Sequence, residues 1–230
     1  TSIKYFEPAF LEAVNKYQGK TIGEIANKFN FNISKNKDAA ATIIKLMLGF
    51  KTVRSRIKEL DERGITVKTI PINSNNNSLY EAVSFRRLVL KDFVKEEWSK
   101  SLLIEQLTRI LFVAVSRNKR QGVPVEDRVL MKAFFWSPTE NELKVIKQEW
   151  LNYQKQVNSG LIIEKIPVNS KRGFKEIVTN ISKGSDTKII HLRPHAKDSN
   201  DRDEDIYGTS VVKQSFWLNK RFVEKILKDS

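Results

Sequence analysis

The chain contains no cysteine and only two histidines, His191 and His195. The absence of cysteine excludes disulfide bonds and thiolate metal sites, and two histidines alone argue against a structural zinc site. No apolar stretch approaches the roughly 20 residues that are needed to span a bilayer, and no signal-peptide pattern opens the sequence. The glycine-rich fingerprints of nucleotide-binding loops are also missing. Membrane proteins, disulfide-rich domains and proteins with those nucleotide-binding loops are therefore excluded.

Positive charge is what the chain has in excess. Lysine and arginine number 41 against 27 aspartates and glutamates, which gives a net charge of +14 in 230 residues. A basic surface is typical of proteins that bind polyanions, so nucleic acid is the first candidate partner, although basic charge also serves solubility. The hydrophobic content of 40% is enough for one large or two small domains. Because the sequence begins at Thr1 without Met, we expect a fragment of a longer protein.

Two helices are predicted before residue 60. Thr21 and Glu24 have the spacing of a capping box, which predicts a helix through Ile25 and Phe29. A second helix is expected from Ala39 to Leu48, ending at Gly49. The segment that follows contains the cluster of Lys51, Arg54 and Arg56, which is either a solvated face or the lining of a DNA channel.

Short segments that are rich in strand-forming residues and bounded by turn residues predict a sheet after residue 64. The expected strands are Ile65 to Ile72, Val83 to Leu90, Ile110 to Ser116, Met131 to Trp136, Leu161 to Pro167, Lys188 to Arg193 and Phe216 to Leu218. The segment from Ile110 is apolar on both faces, as in a central strand.

Three further helices are predicted. One includes Glu97 to Thr108, and another covers Lys220 to Lys228. The longest is capped by Ser137, with Glu140 closing the box. Its apolar residues recur at helical spacing and predict a core stripe of Leu143, Ile146, Trp150, Tyr153 and Val157.

The most informative segment, Gly64 to Pro71, looks like a metal-nuclease strand whose central acid has been replaced. In that motif an acid and a lysine stand two residues apart, so both project from the same side of the strand. The acid binds Mg²⁺ and the lysine faces the scissile phosphate. Here Thr66 occupies the acid position and Lys68 keeps the lysine. A neutral hydroxyl cannot replace a charged oxygen ligand, so we expect a nuclease fold that binds DNA without cutting it.

An acidic run from Asp198 to Asp205 has the composition of a calcium site. It lacks the glycine that the turn of an EF-hand loop requires, because Asp203 occupies that position. Clustered like charges repel one another, so the pattern favours a mobile surface loop over an ion site.

Taken together, these motifs resemble the MutH family, and in particular the C-terminal half of the Sau-three-A type restriction endonucleases that recognise GATC. The resemblance runs from about Tyr17 to Leu227. Its landmarks are Gly19 to Ala26, Leu46 to Gly49, Gly64 to Pro71, Trp136 to Glu140, Leu192 to Lys197 and Ser215 to Phe222. The resemblance implies an α/β (α+β) class and the MutH-like restriction-endonuclease fold, a mixed central β-sheet flanked by helices. We expect a single domain over 1–230, with a small helical lobe over about 1–60 and a sheet lobe over 61–230.

The catalytic positions of the family are degenerate in this chain. The resemblance places Lys45 where active members have a glutamate, Glu59 where they have an aspartate, and Thr66 at the strand acid. Lys68 is retained, and we expect it to form a local ion pair with Glu59. We therefore expect no catalytic residues and no metal site.

A further catalytic lysine of the family falls near Gln106 or Thr108, and neither side chain supplies its charge. No cofactor is expected for this domain. The resemblance implies that Mg²⁺ serves a separate catalytic domain of the parent enzyme.

The DNA-reading part of the family is better preserved. The resemblance places Arg193, His195 and Lys197 on a loop that enters the major groove, with Trp217 beside it. Arg193 either contacts a guanine edge or holds a phosphate, and Trp217 either lies near the bases or packs in the core. His195 stands where the family tends to use lysine. The remaining candidate DNA contacts are Lys213, Lys220, Lys51, Arg54 and Arg56.

These features predict a noncatalytic effector domain of a type II restriction endonuclease that binds double-stranded DNA, with GATC as the expected site. Its expected partners are DNA and the catalytic domain of the same parent chain, in a prokaryotic cytoplasm, with no membrane and no small-molecule ligand. The first alternative is an active Mg²⁺-dependent nuclease that recruits Asp61, Glu62 or Glu59. The second is a protein-interaction module of DNA repair.

Overall fold

The computed structural model describes residues 3–33, 39–47, 64–117, 123–167 and 173–230. The chain forms two compact units. Unit 1 comprises residues 1–82, 106–137 and 223–230, and unit 2 comprises 83–105 and 138–222. The predicted lobe boundary near residue 60 lies outside the described residues, so the division into two lobes stays a prediction.

Seven α-helices and ten strands lie within the described residues. The helices are α1 (Ile3–Asn15), α2 (Ile22–Lys28), α3 (Ala39–Met47), α4 (Leu90–Phe93), α5 (Leu102–Leu107), α6 (Glu140–Asn158) and α7 (Lys220–Asp229). The strands are β1 (Ile65–Asn73), β2 (Val83–Arg87), β3 (Arg109–Arg117), β4 (Val129–Trp136), β5 (Ile163–Pro167), β6 (Phe174–Val178), β7 (Ile190–Pro194), β8 (Arg202–Glu204), β9 (Ser210–Val212) and β10 (Gln214–Leu218). None of the described helices is long and apolar enough to cross a membrane.

The sheet of unit 1 has the strand order β1-β3-β4. Strands β1 and β3 are parallel, and β4 is antiparallel to β3. Strand β3 is buried from Ile110 to Ser116, which confirms the prediction of a central strand that is covered on both faces. The α/β class with a mixed sheet is confirmed, although the strands are distributed over four small sheets instead of one.

The first three helices supply the core that covers this sheet. Val14, Ile22, Ile25 and Ile43 are almost completely buried and cluster with side chains of β3. The capping box of α2 is confirmed, since the Glu24 amide donates to Thr21 Oγ1 and the Thr21 amide donates to Glu24 Oε2. Helix α1, which contains Pro8, was not predicted. The predicted end of α3 at Gly49 lies outside the described residues.

The principal sheet of unit 2 has the order β2-β10-β7, and both pairings are antiparallel. Helix α6 packs on it through Ile146, Trp150, Tyr153 and Val157, all buried, which confirms four of the five predicted members of the core stripe. The fifth, Leu143, is half-buried. Burial raises the pKa of Tyr153 to about 12, so its hydroxyl stays protonated and donates to the Ser182 carbonyl at 3.0 Å.

Two of the predicted helix starts are wrong. Helix α6 is capped by Thr139, whose hydroxyl accepts from the Glu142 amide, and the box closes with Glu142 instead of Glu140. Ser137 instead donates its hydroxyl to the Thr108 carbonyl at 2.8 Å. The helix predicted from Glu97 is a 3₁₀ turn over Trp98–Lys100 that ends at an extended Ser101, and α5 begins after it.

Other segment boundaries also differ. Strand β2 ends at Arg87, and Leu90 begins helix α4 instead of ending the strand. Strands β6, β8 and β9 were not predicted. Residues 198–205, predicted to form a surface loop, contain strand β8, which pairs with β9.

Candidate nucleic-acid interface

Strand β10 separates the two faces of the unit 2 sheet. Phe216 points to the core side, where its ring lies 5.5 Å from Phe93 and 5.7 Å from Tyr153. Because side chains alternate along a strand, Ser215 and Trp217 project from the opposite face. We call this opposite side the outer face.

Strand register brings the predicted reading residues to the outer face. Ser215 lies opposite Arg193 of β7, and Trp217 lies opposite His191. On the other side of β10, Ser215 lies opposite Arg87 of β2. Residues directly opposite each other in an antiparallel pair share a face. Arg87 was not predicted as part of this site.

Trp217 forms a platform for the Arg193 side chain. The guanidinium carbon of Arg193 lies 4.2 Å from the ring centroid of Trp217, within the range of a cation–π contact. Trp217 is only 8% exposed, whereas Arg193 is exposed. The buried Nε1 of Trp217 has no hydrogen-bond partner among the described residues. The structure shows the packed ring of the core-packing interpretation, with an exposed arginine against it, and a position of Trp217 near the bases stays a prediction.

His195, the residue after β7, is held by four contacts. Its amide donates to the Lys213 carbonyl at 2.7 Å, and its carbonyl accepts from Arg87 Nε at 2.7 Å. Its Nδ1 lies 2.6 Å from Ser215 Oγ, and its ring meets the Trp217 ring in a T-shaped arrangement at 5.0 Å. The side chain that stands where the family tends to use lysine is thus half-buried.

Asp201 organises the loop after His195. Its carboxylate accepts from the Lys197 amide at 2.9 Å, and lies 2.7 Å from Lys213 Nζ and 3.1 Å from a terminal nitrogen of Arg87. The hydrogen bond from Lys213 and the one from the Lys197 amide hold the pKa of Asp201 below its ordinary value. Lys213, predicted to contact DNA, is therefore one half of an ion pair. The side chain of Lys197 is exposed.

His191 has a structural environment on the outer face. Burial lowers the pKa of His191, so the ring is neutral at pH 7. Its Nδ1 contacts the side-chain oxygen of Asn219, whose amide nitrogen donates to the Thr187 carbonyl at 2.9 Å. A Cβ on Gly184 would lie 3.2 Å from the His191 ring, so this loop packs closely over the imidazole. Lys220, the next residue after Asn219, is exposed at the start of α7.

The acidic run is built into the fold, which corrects the expectation of a solvated loop. Asp205 is 0% exposed, and its carboxylate accepts from the amides of residues 161, 207 and 209 at 2.8, 2.9 and 2.8 Å. Burial acts to raise the pKa of Asp205, but these hydrogen bonds outweigh it and the pKa is lowered. Asp203 accepts from the Leu90 amide at 2.8 Å. Within the described ranges, no group of three or more acidic or histidine side chains is placed to hold a metal ion.

The strand that was predicted to be a degenerate nuclease strand, β1, lies in unit 1. Thr66 and Lys68 are half-buried on β1, opposite Ile110 and Phe112 of β3. A hard divalent cation needs several oxygen ligands, preferably charged. Thr66 offers a neutral hydroxyl and Lys68 a positive charge, so the described part of this strand does not fit Mg²⁺.

The other positions of the family site are placed only in part. Gln106 is buried, and the Thr108 carbonyl accepts from Ser137. Lys45 lies on α3, but its side chain is outside the described part of the structure. Glu59, Asp61 and Glu62 also lie outside it, as do Lys51, Arg54 and Arg56. The expected ion pair of Glu59 with Lys68 stays a prediction.

Sequence reasoning missed Arg87, Asp201 and Ser215 at this site. No local signal links Arg87 to Asp201, because the two residues are far apart in sequence and meet only in the folded structure. Asp201 was hidden within an acidic run that resembled a solvated segment.

Comparison with known proteins gives a consistent set of relatives. A family model described as DNA mismatch repair enzyme MutH matches residues 48–149. The chain is 26% identical over 262 residues to the type II restriction enzyme Sau3AI of Staphylococcus aureus, an alignment that covers 98% of this chain. It is 23% and 24% identical to the DNA mismatch repair proteins MutH of Actinobacillus pleuropneumoniae and Shewanella baltica, over 100% and 96% of this chain. The chain spans about half the length of the staphylococcal enzyme (52%), but 96% and 93% of these two MutH proteins.

Proposed function

The chain belongs to the MutH-like superfamily of nuclease-related DNA-binding proteins, and on that premise we propose that it is a noncatalytic, sequence-specific binding domain for double-stranded DNA. The observation that carries the proposal is the outer face of unit 2, where the guanidinium carbon of Arg193 lies 4.2 Å from the centroid of the Trp217 ring. An arginine in this position presents two donors in a fixed plane, which suits the O6 and N7 atoms of guanine. GATC is the proposed recognition sequence, by similarity to the staphylococcal enzyme.

The absence of catalysis is proposed from the side chains of β1. Thr66 replaces the charged oxygen ligand, and Lys45 carries the wrong sign for a cation site. We propose that the domain acts as an effector in a longer restriction endonuclease whose separate catalytic domain uses Mg²⁺. Its role is then a coupling free energy, because DNA bound here must favour the cleavage-competent arrangement of the whole enzyme.

Two binding measurements test DNA recognition. A gel shift should show tighter binding of a GATC duplex than of a scrambled duplex, with or without Mg²⁺. The logarithm of the affinity should fall with the logarithm of salt concentration at a slope of about −0.9 per phosphate contact. With roughly five contacts, an increase from 50 to 200 mM salt weakens binding several hundredfold. A flat salt response would favour the protein-interaction module instead.

The proposed absence of nuclease activity is tested with supercoiled plasmid DNA. The chain should not nick plasmid DNA in Mg²⁺ or Mn²⁺, because the strand acid is missing. Reproducible cleavage that disappears in a Lys68→Ala variant would overturn the effector proposal and support the active nuclease. The control is an Asn75→Ala variant in the exposed loop after β1, which should not alter the result.

A further inference from the structure

Three lysines line one cleft in the helical part of unit 1, which no prediction from the sequence included. The cleft has a volume of about 450 Å³ and is lined by Lys16, Tyr17, Lys20, Glu24, Ile25 and Lys28. The turn after α1 supplies Lys16, Tyr17 and Lys20, and α2 supplies the other three residues. Backbone hydrogen bonds fix this turn, since the Lys16 amide donates to the Glu12 carbonyl and the Lys20 amide to the Tyr17 carbonyl.

Tyr17 contacts two of the three ammonium groups through its ring. Its ring is buried in the core, with 6% of the residue exposed, and it contacts Phe29 at 5.9 Å. Lys16 Nζ and Lys28 Nζ lie 5.2 and 5.1 Å from the ring centroid. An aromatic face attracts each cation but neutralises neither. Two positive charges from two separate elements therefore contact the same buried ring.

Glu24 is the one acidic side chain among the described residues that line the cleft, and it already has a structural role. Its Oε2 accepts from the Thr21 amide at 2.7 Å, in the capping box of α2. This backbone hydrogen bond lowers the pKa of Glu24, and the charge of Lys20 adds to the effect. The lining thus contains three lysines and one glutamate, and it carries an excess of positive charge.

We infer that the Lys16–Lys20–Lys28 cleft binds phosphate, and that its source is the backbone of the DNA duplex. The choice of DNA as the source of the phosphate rests on the proposed function. Lysine ammonium groups bind phosphate as compact point charges. A concave cleft that holds three of them favours one compact anion over the spaced carboxylates of an acidic peptide. The cleft then adds contacts in unit 1 that hold DNA without reading its sequence.

The first test compares two triple variants with equal charge loss. Lys16→Gln, Lys20→Gln and Lys28→Gln are combined in the cleft variant. The matched control combines Lys144→Gln, Lys147→Gln and Lys155→Gln, three exposed lysines on α6. In the cleft variant, the slope of log affinity against log salt concentration should become shallower by about 0.9 for each phosphate contact that is lost, and by up to about 2.7 for three contacts. The change should be the same on GATC and scrambled duplexes. The control should lose much less, and arginine at the three cleft positions should preserve the slope.

The second test does not depend on DNA binding. Protein with ¹³C-labelled lysine side chains is titrated with inorganic pyrophosphate, and the three signals are identified by their loss in single Lys→Arg variants. Saturable shifts of these signals, absent for Lys144 and Lys147, support the cleft. If pyrophosphate shifts these lysine signals but the protein binds no DNA duplex, the proposed function fails, and the phosphate that the cleft binds is free phosphate.

Two results would overturn the inference. The first is a combined result in which the unmodified protein binds DNA, the salt slopes of the cleft variant and of the control fall by the same amount, and pyrophosphate shifts none of the lysine signals. The second is a set of lysine shifts with a poly-glutamate peptide but none with pyrophosphate. A melting temperature close to that of the unmodified protein confirms that the variants are folded, and the arginine variant provides the comparison where the glutamine variant is unstable.

Discussion

Replacement of Arg193 by lysine tests whether the outer face reads bases or only holds phosphate. Lysine preserves the charge but cannot present the planar pair of donors that the Trp217 ring now supports at 4.2 Å. Arg193 is exposed, and no described ion pair holds its guanidinium, so the substitution should leave the fold intact. Loss of a bidentate base contact is worth about 1–3 kcal/mol. We therefore expect the affinity for a GATC duplex to fall by about 5- to 150-fold.

Fluorescence anisotropy with GATC and scrambled duplexes over a range of salt concentrations measures this effect. The cognate-to-scrambled ratio should fall in Arg193→Lys, while the salt slope stays the same because the charge is retained. Arg86→Lys is the matched control, since Arg86 is exposed on β2 of the same sheet and lies 3.5 Å from Glu105. An unchanged ratio in Arg193→Lys, combined with equal weakening on both duplexes in Arg193→Ala, would refute base reading by this side chain.

Three other substitutions give separate tests of the structure. Asp201→Asn should lower the cognate-to-scrambled ratio and steepen the salt slope in the same assay, because Arg87 and Lys213 lose their carboxylate; an unchanged slope would contradict this role. Asp205→Asn should reduce the free energy of unfolding in urea by about 1–3 kcal/mol, since an amide nitrogen would face a buried N–H group. The pKa of Asp205 is lowered in the folded state. Its contribution to the free energy of unfolding is therefore complete above the unfolded pKa of about 3.9 and is lost as pH falls through the folded pKa. An equal loss of stability in Asp205→Asn at pH 7 and pH 3 would refute this role of the ionised carboxylate. Thr139→Ala should cost about 1 kcal/mol through loss of the α6 cap, whereas a larger loss in Ser137→Ala than in Thr139→Ala would restore the cap predicted from the sequence.

The elements that sequence patterns predicted correctly carry strong local signals. Thr21 and Glu24 specify the start of α2 within four residues, and the stripe from Ile146 to Val157 repeats over three turns of α6. The cap of α6 was misplaced because Ser137 and Thr139 both fit a capping box, with Glu140 and Glu142 respectively. Only the observed hydrogen bonds distinguish them.

The unpredicted strands and the unpredicted site residues share a physical cause. Strand β8 is Arg202-Asp-Glu204, a polar triplet with little intrinsic preference for a strand, and it forms beside β9 and the buried carboxylate of Asp205. Arg87 and Asp201 meet through tertiary register, which local patterns do not contain. Arg193 and Trp217 were found by resemblance to a family, and no periodicity in this sequence would have placed one on the other.

The chain passes between its two units four times, at residues 82/83, 105/106, 137/138 and 222/223. Strands β1 and β3 pair in parallel, and the segment that connects them includes residues 83–105 of unit 2. A single cut or a simple truncation therefore cannot release either unit intact, and recombination at one junction cannot exchange one of them. Thr66 is in unit 1, and Arg193 and Trp217 are in unit 2, so the two sets of residues must be inherited together. Under the proposed function, point substitution is the direct route to a chain that has Thr66 in place of the strand acid and keeps Arg193 beside Trp217.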